Sequence, residues 1–454
     1  MSEVKMDFSR KAMDIGTFQF NFVRTLSLAG TGGAEVAECL LAAGRVKSRD
    51  QESWVREWAA LAEKVERAAV AAADGGQPVT ARQAYLRASN YYRAAMFSLA
   101  PSDSRLDGYL TKSRELFRAA APLLRPPVEP VMIPFGAASL PGYFLTAGQP
   151  AQPTLLVVNG GDSTNEEFVH WIGFTCVSRG WNCLVFEGPG QWSARQLHPE
   201  LPLRPDFEVP VRAAIDYLET REEVDAGRIA LAGYSLGAVF AARAAAFEPR
   251  ICACICDGLI TDVDAAWRAV MPALVRNAPP GLFDRLFRAF EKVSPQLAGF
   301  ANHYRWIFNV TEPHEIFDAW KPYNVNGLAP RIHCPMLLLY GEAELAQTSE
   351  QVGRGVLSWL RELTAPLTIR MIGYEDGWAA THCQVGAIST MQATVFDWLA
   401  LAAGAPARLP GMDLGTSITT MRKYWASTRL EHDVADLERR QQHGPAHPGP
   451  SRHL

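Results

Sequence analysis

Along the first quarter of the chain, apolar positions recur at helical spacing. Trp54, Trp58, Leu61 and Val65 fall on one face, and Asp50 stands where it can cap the helix that carries them. Thr80 followed by Gln83 reads as a capping box, opening a second helix through Tyr85, Ala88, Tyr91, Tyr92 and Ala95. Leu106, Tyr109, Leu110, Leu116 and Phe117 mark a third. Pro122, Pro126, Pro127 and Pro130 then break the pattern, so residues 1–125 are expected to form a helical N-terminal domain.

Beyond residue 130 the texture changes to short apolar runs alternating with helical stretches. Residues 131–134 and 143–146 read as an opening antiparallel pair. Residues 154–158, 182–186, 228–232, 251–256, 335–340 and 367–372 read as strands. Helical patterns pass through Phe168 and Trp171, through 211–218, through 238–246, and close the series at 395–401. Apolar strands alternating with helices predict an α/β fold, a mainly parallel sheet covered on both faces. The core is placed at 126–405. One interval, about 260–330, breaks the alternation with Trp267, Phe283, Phe287, Phe290, Tyr304, Trp306, Phe308, Phe317 and Trp320. It is too long for a loop and predicts a helical insertion over the C-terminal ends of the strands. Residues 406–454 form a C-terminal extension whose end, from 439, lacks apolar periodicity and is expected to be disordered, its histidines solvated.

Composition narrows the classes. The chain has 454 residues, 48% hydrophobic and 20% charged, enough for a large core with an appended domain. A net charge of −4 argues against a nucleic-acid partner. No apolar run reaches membrane-spanning length, and residues 1–14 carry charges without the apolar core of a signal peptide. Eight cysteines are scattered, which fits a reducing, cytoplasmic setting. Cys252, Cys254 and Cys256 alternate, which puts all three on one strand face as small buried hydrophobes instead of metal ligands. No metal site is expected.

Candidate chemistry centres on Gly233-Tyr234-Ser235-Leu236-Gly237, between an apolar strand and an alanine-rich helix. A serine at such a turn is exposed on strained backbone beside free N–H groups. The elbow belongs to an arrangement in which an acid and then a histidine follow in the chain. Glu344, three residues after Gly341 at the end of the 335–340 strand, is the candidate acid, with Asp257 as competitor. His382, in the loop after the last strand, is the candidate base. The Leu236 N–H and one from the loop Asn159-Gly160-Gly161-Asp162-Ser163-Thr164, assigned to Gly161, form the expected oxyanion hole. Gly160-Gly161 lacks the Lys-Ser/Thr of a phosphate cradle, so no cofactor is expected. Gly188-Pro189-Gly190 reads as a tight turn, and Glu166 and Glu167 as acidic residues opening a helix.

Asn159 to Glu167, Glu187-Gly188-Pro189-Gly190-Gln191, the serine pentapeptide and His382-Cys383-Gln384-Val385-Gly386 occur together and in order. Over residues 80–400 the chain resembles the α/β-hydrolases that include 2,6-dihydroxypseudooxynicotine hydrolase and the fungal pigment polyketide-shortening hydrolases. Fermentation-respiration switch proteins are more distant kin. The resemblance implies the α/β-hydrolase fold under a helical N-terminal cap, a homodimer, and the triad Ser235, Glu344 and His382. It further implies Asp162 as a substrate contact, and cleavage of carbon–carbon bonds next to a ketone. Glu344 and Glu187 stand where the group usually has aspartate. The expected function is a serine hydrolase cleaving a carbon–carbon or ester bond of an aromatic or polyketide-like small molecule. An acyltransferase or cyclase using the same triad is the alternative, and a non-enzymatic regulatory protein a third class.

Overall fold

The computed structural model describes residues 18–347, 349–374 and 380–402. The expected C-terminal extension and the first 17 residues lie outside them. Eight strands form one sheet: β1 (Val128–Phe135), β2 (Ala138–Leu145), β3 (Gln152–Val158), β4 (Asn182–Phe186), β5 (Val224–Tyr234), β6 (Ile251–Asp257), β7 (Met336–Gly341) and β8 (Leu367–Ile372). Their order is β1-β2-β4-β3-β5-β6-β7-β8. β1 and β2 pair antiparallel, as do β2 and β4, and every later pair is parallel. The strands from β3 onward are apolar on both faces because helices cover both. Six parallel strands, β3 to β8, therefore end at one edge, and their following loops converge there.

The first helices pack on each other and then on this sheet. Helix Gln51–Asp74 is capped by Asp50, whose carboxylate accepts the Ser53 N–H at 2.9 Å. It buries Trp54, Trp58, Leu61 and Val65 against Tyr91 and Tyr92 of helix Pro78–Met96. That helix begins earlier than the capping-box pattern at Thr80 suggested. Pro78 takes the first helical position, where its missing N–H costs nothing, and Thr80 falls inside the first turn. Leu86 of this helix and Phe117 of helix Arg105–Ala120 reach a second cluster with Tyr143, Leu155, Val157 and Phe168, which joins the helical region to one sheet face.

Between β6 and β7 the chain forms helices Val263–Ala269, Ala273–Arg276, Pro280–Val293, Pro295–Phe308 and Pro313–Trp320. This aromatic insertion packs over the other sheet face. The cysteine triplet departs from expectation. Cys254 and Cys256 share a face with sulfurs 3.8 Å apart. A register shift between Ile229 and Ala230 interrupts the alternation and leaves Cys252 half-buried against the opposite cluster. Among the described residues no helix is long and apolar enough to cross a membrane, and no group of three or more metal-ligating side chains occurs.

Candidate active site

β5 runs through the centre of the sheet and stops at Tyr234. The next residue, Ser235, has φ 56° and ψ −124°, a backbone position that L residues rarely hold, and helix Leu236–Ala245 starts immediately after it. The turn is closed by the Ser235 N–H, which donates to the Asp257 carbonyl at 2.8 Å. Glycine is required on both sides of it: a Cβ at Gly233 would stand 1.9 Å from the Gly237 carbonyl oxygen, and one at Gly237 2.4 Å from that of Val158.

His382 follows β8 and Glu344 follows β7, in helix Glu342–Gln347. His382 Nδ1 lies 2.7 Å from Glu344 Oε1. With a carboxylate accepting at Nδ1, the neutral ring carries its proton there and leaves Nε2 as the acceptor. Burial disfavours the imidazolium, but the neighbouring Cys383 and Glu344 outweigh it and hold His382 well above its ordinary value. Burial also pushes the Cys383 thiol up to about 11, so it is neutral where a histidine titrates, and Glu344 is the charge that matters. Asp257, at the end of β6, is fully buried and meets a different partner: Gln384 Nε2 donates to its Oδ1 at 3.3 Å. Its other oxygen has no hydrogen-bond partner among the described residues. Burial and the nearby Glu344 push the Asp257 carboxyl up to about 8.

The loop after β3 is held from behind through four successive carbonyls. Gln191 Nε2 donates to Asn159 and Gly160, both at 2.9 Å, while its Oε1 accepts the Gly188 N–H at 2.7 Å. His303, from helix Pro295–Phe308, donates through Nε2 to the Gly161 carbonyl at 2.7 Å. Arg24, from helix Gln19–Leu26, reaches the Asp162 carbonyl at 3.5 Å. The Gly160 carbonyl and the Gly161 N–H belong to one peptide unit, so fixing the first fixes the second. Gly161 and Leu236 are neighbours, since a Cβ on Gly161 would lie 3.4 Å from Leu236 Cδ2. The Leu236 N–H is one of the unsatisfied donors of a helix first turn.

Arg24 also makes two bonds of 2.6 Å to the buried Glu167 carboxylate, which Arg93 approaches at 3.2 Å. Its third nitrogen lies 3.3 Å from Asp162 Oδ1. Burial opposes a charge on Asp162, but Arg24 beside it keeps the carboxyl below its usual value. Half of the Asp162 side chain remains open, 46% by area, and faces the cavity. That cavity has a volume of about 880 Å³ and takes in Ser235, Gly161, Asp162, Glu344 and His382. Its aromatic walls come from all three regions: Phe97 from the N-terminal helices, Trp171 and Trp192 from the core, and Trp267, Phe300 and Trp320 from the insertion.

Every candidate site residue named from the sequence therefore borders one cavity except Asp257, which lies beneath it. Tyr91 and Tyr92 belong to the helical core, bonded to Glu38 and Glu66. Gly188-Pro189-Gly190 forms a turn closed by the Gln191 N–H on the Gly188 carbonyl. Glu166 accepts the Tyr143 hydroxyl proton at 2.8 Å, and Glu167 holds the arginines, so both do more than open a helix. Sequence reading missed Arg24, Gln191 and His303. Gln191 stood inside a recognised segment without a role; nothing local distinguished the other two from ordinary helix residues.

An alpha/beta hydrolase family model matches residues 155–415. Hydrolase acrC of Aspergillus aculeatus is 32% identical over 410 residues, covering 84% of this chain and 95% of that protein. The 20-hydroxy-prefusarin hydrolase FUS2 of Gibberella moniliformis is 32% identical over 402 residues, again covering 84% and 95%. The crystal structure of 2,6-dihydroxy-pseudo-oxynicotine hydrolase has the same fold, with a TM-score of 0.66 at 22% identity, covering 85% of this chain and 98% of that one. The sheet order, the position of the strained serine turn and these long alignments lead to one assignment: the chain belongs to the alpha/beta hydrolase family.

Proposed function

We propose that this hydrolase uses Ser235 as nucleophile, His382 as general base and acid, and Glu344 to orient and charge-stabilise the imidazole. The observation that carries the reading is the 2.7 Å contact of His382 Nδ1 with Glu344 Oε1, on a cavity that also takes in the strained Ser235. Ser235 Oγ attacks a substrate carbonyl while His382 Nε2 takes its proton. The Gly161 and Leu236 N–H groups hold the oxyanion. Collapse expels an alkoxide or a stabilised carbanion, which takes the proton from His382. Water, deprotonated by His382, then releases the acyl group from Ser235 as an acid.

The substrate is a hydroxylated aromatic or polyketide-like small molecule, cleaved at a carbon–carbon bond beside a ketone or at an ester. Aromatic side chains contributed from three regions to a cavity of about 880 Å³ suit a planar, largely apolar molecule. The Asp162 carboxylate, an acceptor only, suits a substrate O–H or N–H donor. The relative named as a 20-hydroxy-prefusarin hydrolase supports a hydroxylated substrate. Turnover of such a β-diketone or aryl ester in ¹⁸O-labelled water tests the reading. Label in the released acid, and loss of turnover in Ser235→Ala, are expected. An acylated amine or alcohol in place of a labelled acid would point to acyl transfer, and full activity in Ser235→Ala would rule out the nucleophile.

A further inference from the structure

One hydroxyl at the site has no place in that scheme. Tyr304, on the cavity-facing side of helix Pro295–Phe308, points its phenol oxygen at Gly161: a Cβ built on Gly161 would meet it at 2.9 Å. No hydrogen-bond partner holds this hydroxyl among the described residues. Its ring is clamped by Phe300 at 4.5 Å and Trp320 at 4.9 Å between centroids, so the oxygen has little freedom to leave. Burial, with Asp162 nearby, pushes the phenol well above its ordinary value, so it stays an O–H donor at any working pH.

We propose that Tyr304 is a further catalytic residue, its hydroxyl supplying a third donor to the oxyanion formed on Ser235. An amide nitrogen lies about 2.5 Å from its own Cβ, which puts the Tyr304 oxygen within about 5.4 Å of the Gly161 nitrogen. Two donors that close can both reach one oxygen at ordinary hydrogen-bond length. The same contact explains glycine at 161, because a methyl there would push the hydroxyl out of the hole. The insertion thus contributes directly to the reacting atoms as well as to the cavity wall. The proposal rests on Ser235 being the nucleophile.

The test is Tyr304→Phe, which keeps the ring and removes only the oxygen. Labelling of Ser235 by a fluorophosphonate, and competition of that labelling by trifluoroacetophenone, both build an oxyanion without needing the natural substrate. In the variant, trifluoroacetophenone affinity and labelling rate are expected to fall on the order of 10²-fold. Binding of naphthalene, which has no carbonyl, is expected to stay unchanged. A second measurement checks the placement: Gly161→Ala lowers the melting temperature, and adding Tyr304→Phe restores it. Labelling and ketone affinity equal to wild type, or no such restoration, would overturn the proposal while leaving Ser235 in place. A wild-type protein that takes no label would instead overturn the Ser235 reading and this one with it.

Discussion

Glu344 Oε1 accepts the Nδ1 proton of His382 at 2.7 Å. Glu344→Gln keeps the shape and removes the charge. Turnover is expected to fall by about 10²- to 10⁴-fold. As the proposed base, His382 would act only when neutral, and its raised pKa is expected to place the acid limb of kcat/KM above the ordinary histidine value. Without the carboxylate that limb moves to lower pH. Asp257→Asn should leave the limb where it is. A pH–rate profile of both variants decides, and a larger loss in Asp257→Asn would exchange their roles.

Asp257 carries a stability signature instead. Its carboxyl is raised from 3.8 to about 8 in the folded protein, so between those values the native state holds a proton that the unfolded chain has lost. Stability from this group is present at low pH and is lost as pH rises through the folded value, by up to about 1.4 kcal/mol per pH unit. Asp257→Asn, which can still accept from Gln384, has no such slope. Its melting temperature relative to wild type is expected to climb from pH 5 to pH 8.

Gln191 never touches the cavity's reacting edge, yet it holds the Gly160 carbonyl and through it the Gly161 N–H. Gln191→Glu sets a carboxylate against two carbonyl oxygens in place of a donor. A drop in kcat of about 10- to 100-fold with little change in KM is expected, because on the proposed mechanism the oxyanion and not the ground state loses its donor. Equal losses in kcat and in the affinity of a substrate analogue without a carbonyl would point to collapse of the loop instead.

Arg24 ties the first described helix to the site. Arg24→Met leaves the buried Glu167 with Arg93 alone and frees Asp162 of its counter-charge. A loss of about 3 kcal/mol in unfolding free energy is expected. If Asp162 receives a substrate hydroxyl, KM should also rise, and denaturation and steady-state kinetics together separate the two effects.

The sheet and its loops were readable because their signals are local. Apolar runs mark β3 to β8, and glycines mark the places where backbone must approach backbone, as at Gly233. Ser235, Gly161 and His382 inherit their positions from those runs. Counting from a strand end reaches Glu344 but leaves Asp257 as an alternative; only the fold separates a carboxylate that reaches His382 from one buried beneath it. Arg24, His303 and Tyr304 sit on amphipathic helices, where spacing reports which face is buried and nothing about what it meets. Their partners lie more than a hundred residues away in the chain. The capping-box reading at Thr80 failed because Pro78 set the helix start.

Ser235 is held at a positive φ that costs a non-glycine residue on the order of 1–3 kcal/mol. A glycine there would relax the turn, so, with Ser235 as the proposed nucleophile, the most stable version of this sheet would be an inactive one. The packing of helix Leu236–Ala245 against β5 and β6 must therefore supply a reserve large enough to keep the serine in place. On the proposed mechanism, variants that erode this reserve elsewhere in the core would extinguish activity before they unfold the chain, and a screen for thermal stability alone would drift toward losing Ser235.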